Sequence, residues 1–308
     1  MRVIITGGSG LIGRALTETL TSDGHEVIIL SRSPKRVADL PSGARAEGWD
    51  AHTAGGWAHL ADGADAIVNL AGANLAGEGF FPSRWTDERK RTQRESRVNA
   101  GRAVVEAVEQ ATVKPRVVVQ ASGIGYYGPR GDEIITEEGA AGNDWIARVA
   151  AQDWEPSTAA VEEMGVRRVI VRTGMVLSSK EGALPRLLLP FRLFAGGPMG
   201  SGKQWYSWIH LQDEARAIRF LIEHDQASGP FNMVAPEPVT NGELARLIGR
   251  IMGRPSFLPV PAFALKLAFG EVATVVLEGQ RAVPRRLMDL GFEFQFPEAQ
   301  SALRDLLT

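Results

Sequence analysis

Residues 6–13 read TGGSGLIG, set between the apolar run Val3-Ile4-Ile5 and a segment in which Ile12, Leu16 and Leu20 recur at four-residue steps. The run predicts a short buried strand and the recurrence an amphipathic helix, so the glycines fall at a strand-to-helix turn. A dinucleotide fingerprint needs that context. Glycines let the backbone turn tightly and approach a pyrophosphate, whose charge then rests against free N–H groups at the helix N-terminus. Gly7, Gly10, Leu11, Ile12 and Gly13 are therefore candidate cofactor contacts. The competing reading of the same glycines is a purely structural turn.

The next β-branched run, Val27 to Leu30, ends in Ser31-Arg32-Ser33. An NAD-selective site would hold an acidic residue there, on the ribose 2′-OH. A serine hydroxyl and a guanidinium fork suit a 2′-phosphate instead, with Arg36 close by, and predict NADP(H) as the cofactor.

Further apolar runs lie at 66–71, 117–120 and 169–171, each closed by glycine or polar turn residues, with helical patterns over about 86–111 and 143–155. Strands buried on both faces and alternating with helices require parallel pairing, which predicts an α/β, Rossmann-type doubly wound parallel sheet. After Gly174 the rhythm gives way to GGPMGSGKQW, then to helical patterns at 241–252 and 263–278 among prolines 255, 259, 261 and 284. The expected division is an NADP(H)-binding Rossmann domain over 1–175, to which 205–232 returns, and a smaller C-terminal substrate lobe over 176–204 and 233–308.

Composition narrows the partners. The chain has 308 residues, 44% hydrophobic and 23% charged, a formal net charge of -2 and a pI near 6.3. That charge gives no global attraction to nucleic acid or to an anionic membrane. Cysteine is absent, which excludes disulfides, thiolate nucleophiles and cysteine–zinc sites. The histidines show no ligand spacing, so no metal is expected. With no signal-peptide core in MRVIITGG and no long apolar segment, a cytoplasmic protein acting on a small molecule is the default expectation.

TGGSGLIG, NLAG at 69–72, Asn99 on the long helix, Tyr126-Tyr127-Gly128 and Arg172-Thr173-Gly174 together resemble the extended short-chain dehydrogenases/reductases, the group that includes nucleotide-sugar epimerases. SRWTDERK (83–90), SGIGYYG (122–128), GSGKQWYSWIHLQD (200–213) and VPRRLMDLGFEFQFP (283–297) are similar to the YfcH-like epimerase-family proteins, with a C-terminal region of the DUF1731 type. The resemblance spans nearly the whole chain. It implies that Leu70, Ala71, Gly72 and Asn99 join the cofactor contacts and that a small lobe closes over a substrate cleft. It also implies an active-site helix carrying Tyr-x-x-x-Lys, with a glutamate four residues after the lysine. Aligning that glutamate with Glu155 in NDWIARVAAQDWE (143–155) puts the tyrosine at Ala147 and the lysine at Ala151. A tyrosine of pKa ~10 works near neutrality only when a cation stabilises its phenolate, and alanine does neither. Pro156 removes an N–H and is expected to kink or end this helix. Pairing of two copies through 86–111 and 143–164 is accordingly in question, leaving a monomer or a homodimer.

Other residues are candidates for the chemistry. The family's polarising Ser/Thr aligns with Gly123, and a shift of one residue would restore Ser122. Tyr126 and Tyr127 follow the fifth strand, at the carboxyl edge where ligands of such sheets bind, and either is a candidate proton donor or else shapes the turn. Lys203, Gln204, Tyr206 and His210 form a polar and aromatic cluster expected to line the substrate cleft. His210 precedes Asp213 by three residues, which permits an orienting pair, although helix capping by this stretch is the commoner arrangement. Along the long helix the basic run Arg84 to Arg102 reads as a solvated face, except Arg97, which is placed to meet an anionic substrate or the cofactor phosphates.

Two functions follow. One is an NADP(H)-dependent oxidoreductase or nucleotide-sugar epimerase with an atypical active site, acting on a sugar-like or carbonyl substrate. The other is a non-catalytic NADP(H)-binding regulator, for which the family resemblance offers cell division as a setting.

Overall fold

The computed structural model of the chain describes residues 1–77 and 79–308. Its centre is a seven-stranded sheet of β1 (Arg2–Thr6), β2 (Glu26–Ser31), β3 (Ala44–Gly48), β4 (Ala66–Asn69), β5 (Val117–Gly123), β6 (Arg167–Thr173) and β7 (Gly229–Met233). The spatial order is β7-β6-β5-β4-β1-β2-β3, and every pairing is parallel. Order reverses at β1, which places a crevice at the carboxyl ends of β1 and β4.

Helices cover both faces because alternate strand residues are apolar on both sides. Val3, Ile5, Val27 and Ile29 pack with Leu16 and Leu20 of α1 (Leu11–Ser22) and with a later helix bearing Ile218 and Leu221. Ile4, Ile28, Ile67 and Val118 pack with Trp57 beside the one-turn α2 (Ala58–Ala61) and with Ala100, Val104 and Val108 of α3 (Asp87–Gln110). A third core joins α5 (Leu184–Arg192), α7 (Asn241–Met252) and α11 (Ala299–Leu307) through Leu188, Phe191, Trp208, Leu244, Ile248 and Leu303. Helix α4 is Trp145–Val149, α6 is Leu211–Glu223, α8 is Ala262–Phe269, α9 is Thr274–Leu277 and α10 is Arg285–Asp289.

Two sequence expectations change. The helix expected over 143–164 is three pieces: α4, a π turn at Ala150–Trp154, and a 3₁₀ segment at Glu155–Val161 that begins at Pro156's turn. The proline has no N–H to return, so the backbone widens before it and tightens after it. The helix expected at 263–278 stops at Gly270, whose φ of 63° ends α8. Strands β3 and β7 carry no continuous β-branched run in the sequence and are added by the structure.

The 3₁₀ segment lies hard against α3. A Cβ placed on Gly101 would fall 2.6 Å from Ser157 Cβ and 1.9 Å from its Oγ. Gly101→Ala is expected to cost about 1–3 kcal/mol through overpacking, read as a lower urea midpoint, and adding Ser157→Gly should recover most of it. An unchanged midpoint in the single variant would contradict this contact.

Candidate functional site

At the glycine turn, the residues that make the fingerprint also make the site. Gly7 has φ +68°, and a Cβ there would lie 2.9 Å from the backbone of Leu70 at the end of β4. Gly13 packs so closely that a Cβ would sit 2.5 Å from Gly8 Cα. The turn is closed by Gly10 N–H donating to Gly7 O (3.0 Å), and α1 starts with Gly10 as a cap that offers no side chain. The first-turn N–H groups of Leu11, Ile12 and Gly13 thus point, without an intrahelical partner, into the crevice. Gly10 itself is exposed. Bare amides, a positive helix end and close backbone approach fit a pyrophosphate.

The crevice floor is a buried polar ladder across three strands. Thr6 Oγ1 donates to Asn69 Oδ1 (2.6 Å), Asn69 Nδ2 donates to Gln120 Oε1 (2.9 Å), and Ala71 N–H reaches Thr6 Oγ1 (3.3 Å). It fixes the Leu70-Ala71-Gly72 backbone opposite the glycine turn. Composition alone gave no sign of it, because each partner lies about 50 residues or more from the next. At the end of β2, Ser31 Oγ accepts from Ser33 N–H (3.1 Å) and Arg32 is exposed.

The proton-donor candidates separate sharply. Ser122 is buried and its Oγ donates to Glu155 Oε1 (2.7 Å). Tyr127 is fully buried: its hydroxyl donates to Asn232 Oδ1 (2.7 Å) and accepts from Arg172 Nη1 (3.0 Å), and burial pushes it up to about 12. Arg172 in turn grips Glu155 through Nε (2.9 Å) and Nη2 (3.0 Å), with both partners out of solvent. Desolvation pulls down on the Arg172 pKa, but the paired carboxylate wins and raises it. Tyr126 is half-buried, edge-on to Tyr127, with the Arg172 guanidinium carbon 3.4 Å from its ring centroid. Ala147, aligned with the family tyrosine, is fully buried, and Ala151 is partly exposed.

In the cluster expected to line a substrate cleft, the side chains engage the backbones of neighbouring segments. Gln204 Nε2 donates to the carbonyls of Met199 and Val276 (3.0 and 2.9 Å), and the buried Tyr206 hydroxyl donates to Val276 O (2.8 Å). His210 caps α6, accepting from Gln212 N–H at Nδ1 (3.1 Å). Its other nitrogen lies 3.3 Å from Asp305, out of hydrogen-bonding geometry, and burial lowers its pKa. Asp213 receives Gln295 and Phe296 N–H groups rather than orienting His210. Lys203 is exposed in an open groove of about 580 Å³ with Arg246 and Phe257, and no cofactor or proton-donor candidate lines it.

On α3 the basic run divides as its neighbours dictate. Lys90 pairs with Glu271 (2.6 Å) and Arg94 with Asp153 (2.8 Å), each across to another element. Asn99 Nδ2 lies 3.1 Å from His52 Nδ1, turned toward the loop after β3. Arg97 is different. It is 8% exposed, stacks on Trp154 with its guanidinium carbon 4.6 Å from the ring centroid, and abuts Gly72. Its one hydrogen bond among the described residues is Nη1 to Gln93 O (2.8 Å), and burial lowers its pKa to about 10.

These features define a dinucleotide-binding α/β protein with a site at the sheet's switch point. The chain matches the profile of the NAD dependent epimerase/dehydratase family over residues 3–234 and that of DUF1731, a domain of unknown function, over 260–306. It belongs to the NAD dependent epimerase/dehydratase family. Epimerase family protein YfhF of Bacillus subtilis (strain 168) is 36% identical over 100% of this chain and 98% of its own length. Mouse epimerase family protein SDR39U1 is 35% identical, with full coverage of both chains. The crystal structure of human SDR39U1 (isoform 2) with NADPH superposes with a TM-score of 0.87 at 34% identity, covering 99% of each chain.

A buried acid sits behind the site. Glu214, in the first turn of α6, is fully buried; Oε1 accepts from Thr173 Oγ1 (2.8 Å), Oε2 has no partner among the described residues, and burial pushes its pKa up to about 8. Between the ordinary carboxylate value and about 8, the unfolded chain gives up this proton while the folded chain keeps it, so stability falls as pH rises through that window. Urea unfolding at several pH values should show a shallower decline for Glu214→Gln than for the wild type. Parallel declines would mean that this carboxyl does not set the slope.

Proposed function

We propose that the protein is an NADPH-dependent oxidoreductase or epimerase acting on a hydroxyl or carbonyl of a small, sugar-like molecule, with Tyr126 as the proton donor. One observation carries the catalytic part. Of the three tyrosines in the chain, Tyr127 and Tyr206 have hydroxyls tied into the framework, whereas the Tyr126 hydroxyl has no partner among the described residues and stands at the carboxyl edge of β5. The cofactor part is supported by the bare N-terminus of α1, by Ser31 and Arg32, and by the NADPH in the crystal structure of human SDR39U1.

NADPH, when bound, supplies a hydride to a carbonyl carbon. The first-turn amides of α1 hold its pyrophosphate, and Arg32 with Ser31 takes the 2′-phosphate. Tyr126 gives its proton to the carbonyl oxygen as negative charge develops there. Arg172, over the ring face, stands in for the cation that the family places on its active-site helix. Ser122, engaged by Glu155, and Tyr127 hold the ring's surroundings in place.

A second reading, a non-catalytic NADPH-responsive regulator, is favoured by Ala147 and Ala151 at the aligned tyrosine and lysine positions. Turnover separates the two.

Calorimetric titration should give a Kd for NADPH about tenfold higher in Arg32→Ala than in the wild type, with NADH binding unchanged, since tenfold is about 1.4 kcal/mol. Equal losses for both nucleotides would remove the 2′-phosphate assignment. In a screen of small sugar aldehydes and ketones followed by NADPH fluorescence, Tyr126→Phe is expected to lose about 10²-fold or more in kcat, the scale of general acid catalysis. Tyr127→Phe should instead lower the Tm. A Tyr126→Phe enzyme with wild-type kcat would remove Tyr126 as the proton donor, whereas a wild type without turnover on any of these substrates would return the site to the regulatory reading.

A further inference from the structure

Lys90, Gln93 and Arg97 fall on one stripe of α3, at steps of three and four residues, and face the segment that in this family carries the tyrosine and lysine. Lys90 stands over Trp145, which packs on Trp85, and Arg97 stands over Trp154. Lys90 has its carboxylate in Glu271. Arg97 has none among the described residues. Two further buried polar atoms beside it are also unpartnered among those residues: Trp154 Nε1, a donor, and Gln93 Oε1, an acceptor, on a side chain only 1% exposed. The Arg97 guanidinium abuts Gly72 at the crevice, and the donor and acceptor beside it are buried without partners among the described residues, so a ligand reaching between α3 and the π turn would satisfy all three.

We infer that Arg97 and Trp154 bind the anionic group of the substrate, a carboxylate or phosphate, while Gln93 accepts from a neighbouring hydroxyl. The substrate class is thus a hydroxylated small acid or sugar phosphate rather than a neutral sugar. This rests on the enzymatic reading above, and it deepens that reading by making charge a specificity element. Guanidinium and indole N–H both donate, so they match anion oxygens. The π turn at Ala150–Trp154 sets the indole against Arg97, and Ala147 and Ala151 on the same segment carry no polar group of their own.

The test uses the full-length protein saturated with NADPH and titrated with inorganic phosphate, glycolate, and propanediol as the uncharged control. Wild type is expected to bind at least one of the two anions and not the diol, and the preferred anion identifies the group. Arg97→Gln should weaken that binding about tenfold or more. Trp154→Phe, which keeps the ring and removes the donor, should weaken it severalfold, and Arg97→Lys should retain part of it. The NADPH Kd should be unchanged in all three, and melting curves check that each variant is folded. Absence of anion binding in the wild type, or equal binding by Arg97→Gln, overturns the inference. So does a raised NADPH Kd in Arg97→Gln, which would give the guanidinium to the cofactor. Failure of NADPH to bind the wild type at all is a different result, and it removes the enzymatic reading itself.

Discussion

Arg172 and Glu155 meet out of water through two parallel hydrogen bonds of 2.9 and 3.0 Å, and much of the carboxyl edge of the sheet is arranged around that contact. Breaking a buried pair leaves one charge without compensation and costs roughly 3–5 kcal/mol, so every neighbour that fixes its geometry matters. Ser122 donates to the same carboxylate, and Tyr127 links Arg172 to Asn232 of β7. Asn232 N–H in turn donates to Glu137, whose carboxylate also lies 3.4 Å from the Arg286 N–H at the start of α10. One ion pair thereby connects β5, β6, β7, the post-π segment and the C-terminal chain. Ser122, one residue before the position that aligns with the family's polarising Ser/Thr, and one of the two adjacent tyrosines belong to this scaffold. Tyr126 is left as the aromatic whose ring is held and whose hydroxyl has no partner among the described residues.

The π turn explains how Glu155 reaches Arg172. An uninterrupted α-helix from Trp145 would carry its register straight through to Pro156, whose ring clashes with the preceding turn. Widening at Ala150–Trp154 relieves that clash, turns Trp154 toward Arg97, and delivers Glu155 at the head of the 3₁₀ segment into the sheet edge. Small residues at 147, 150 and 151 permit the distortion. A conventional tyrosine and lysine on this helix would need its regular spacing, so the departure in sequence and the departure in backbone are one feature.

What the sequence made legible follows from distance along the chain. TGGSGLIG, Ser31-Arg32 and the apolar strand runs are local signals, each confined to a few residues, and they define the fold and the crevice without further help. Arg97 stands out in the sequence through its place two residues before Asn99, the position marked by the family resemblance, and the fold buries it. The Thr6–Asn69–Gln120 ladder and the Arg172 network join residues up to about a hundred positions apart, and no local pattern encodes them. The Lys203–His210 stretch shows another limit of local reading. Polar side chains close in sequence suggest a cleft, but the carbonyls of Met199 and Val276 and the N-terminus of α6 are the partners that satisfy them. Residue type indicates that a partner is needed; only the fold says whether that partner is a ligand or the chain itself.

The two buried arginines of the site illustrate that distinction in energetic terms. Desolvating a guanidinium costs several kcal/mol even after relaxation. Arg172 recovers this from a bidentate carboxylate, a phenol and a carbonyl. Arg97 has a carbonyl at 2.8 Å and an indole face at 4.6 Å, and a desolvated cation–π contact contributes about 2 kcal/mol. A net hydrogen bond to a charged group adds about 1.5–3 kcal/mol, which leaves the charge close to break-even and short of the compensation Arg172 receives. Its pKa falls to about 10 in response, still well above neutrality, so the guanidinium remains charged. A cation kept charged with only marginal internal compensation is preorganised for an anion: the desolvation is already met in the folded protein, and an arriving carboxylate or phosphate gains the full charge-assisted contact.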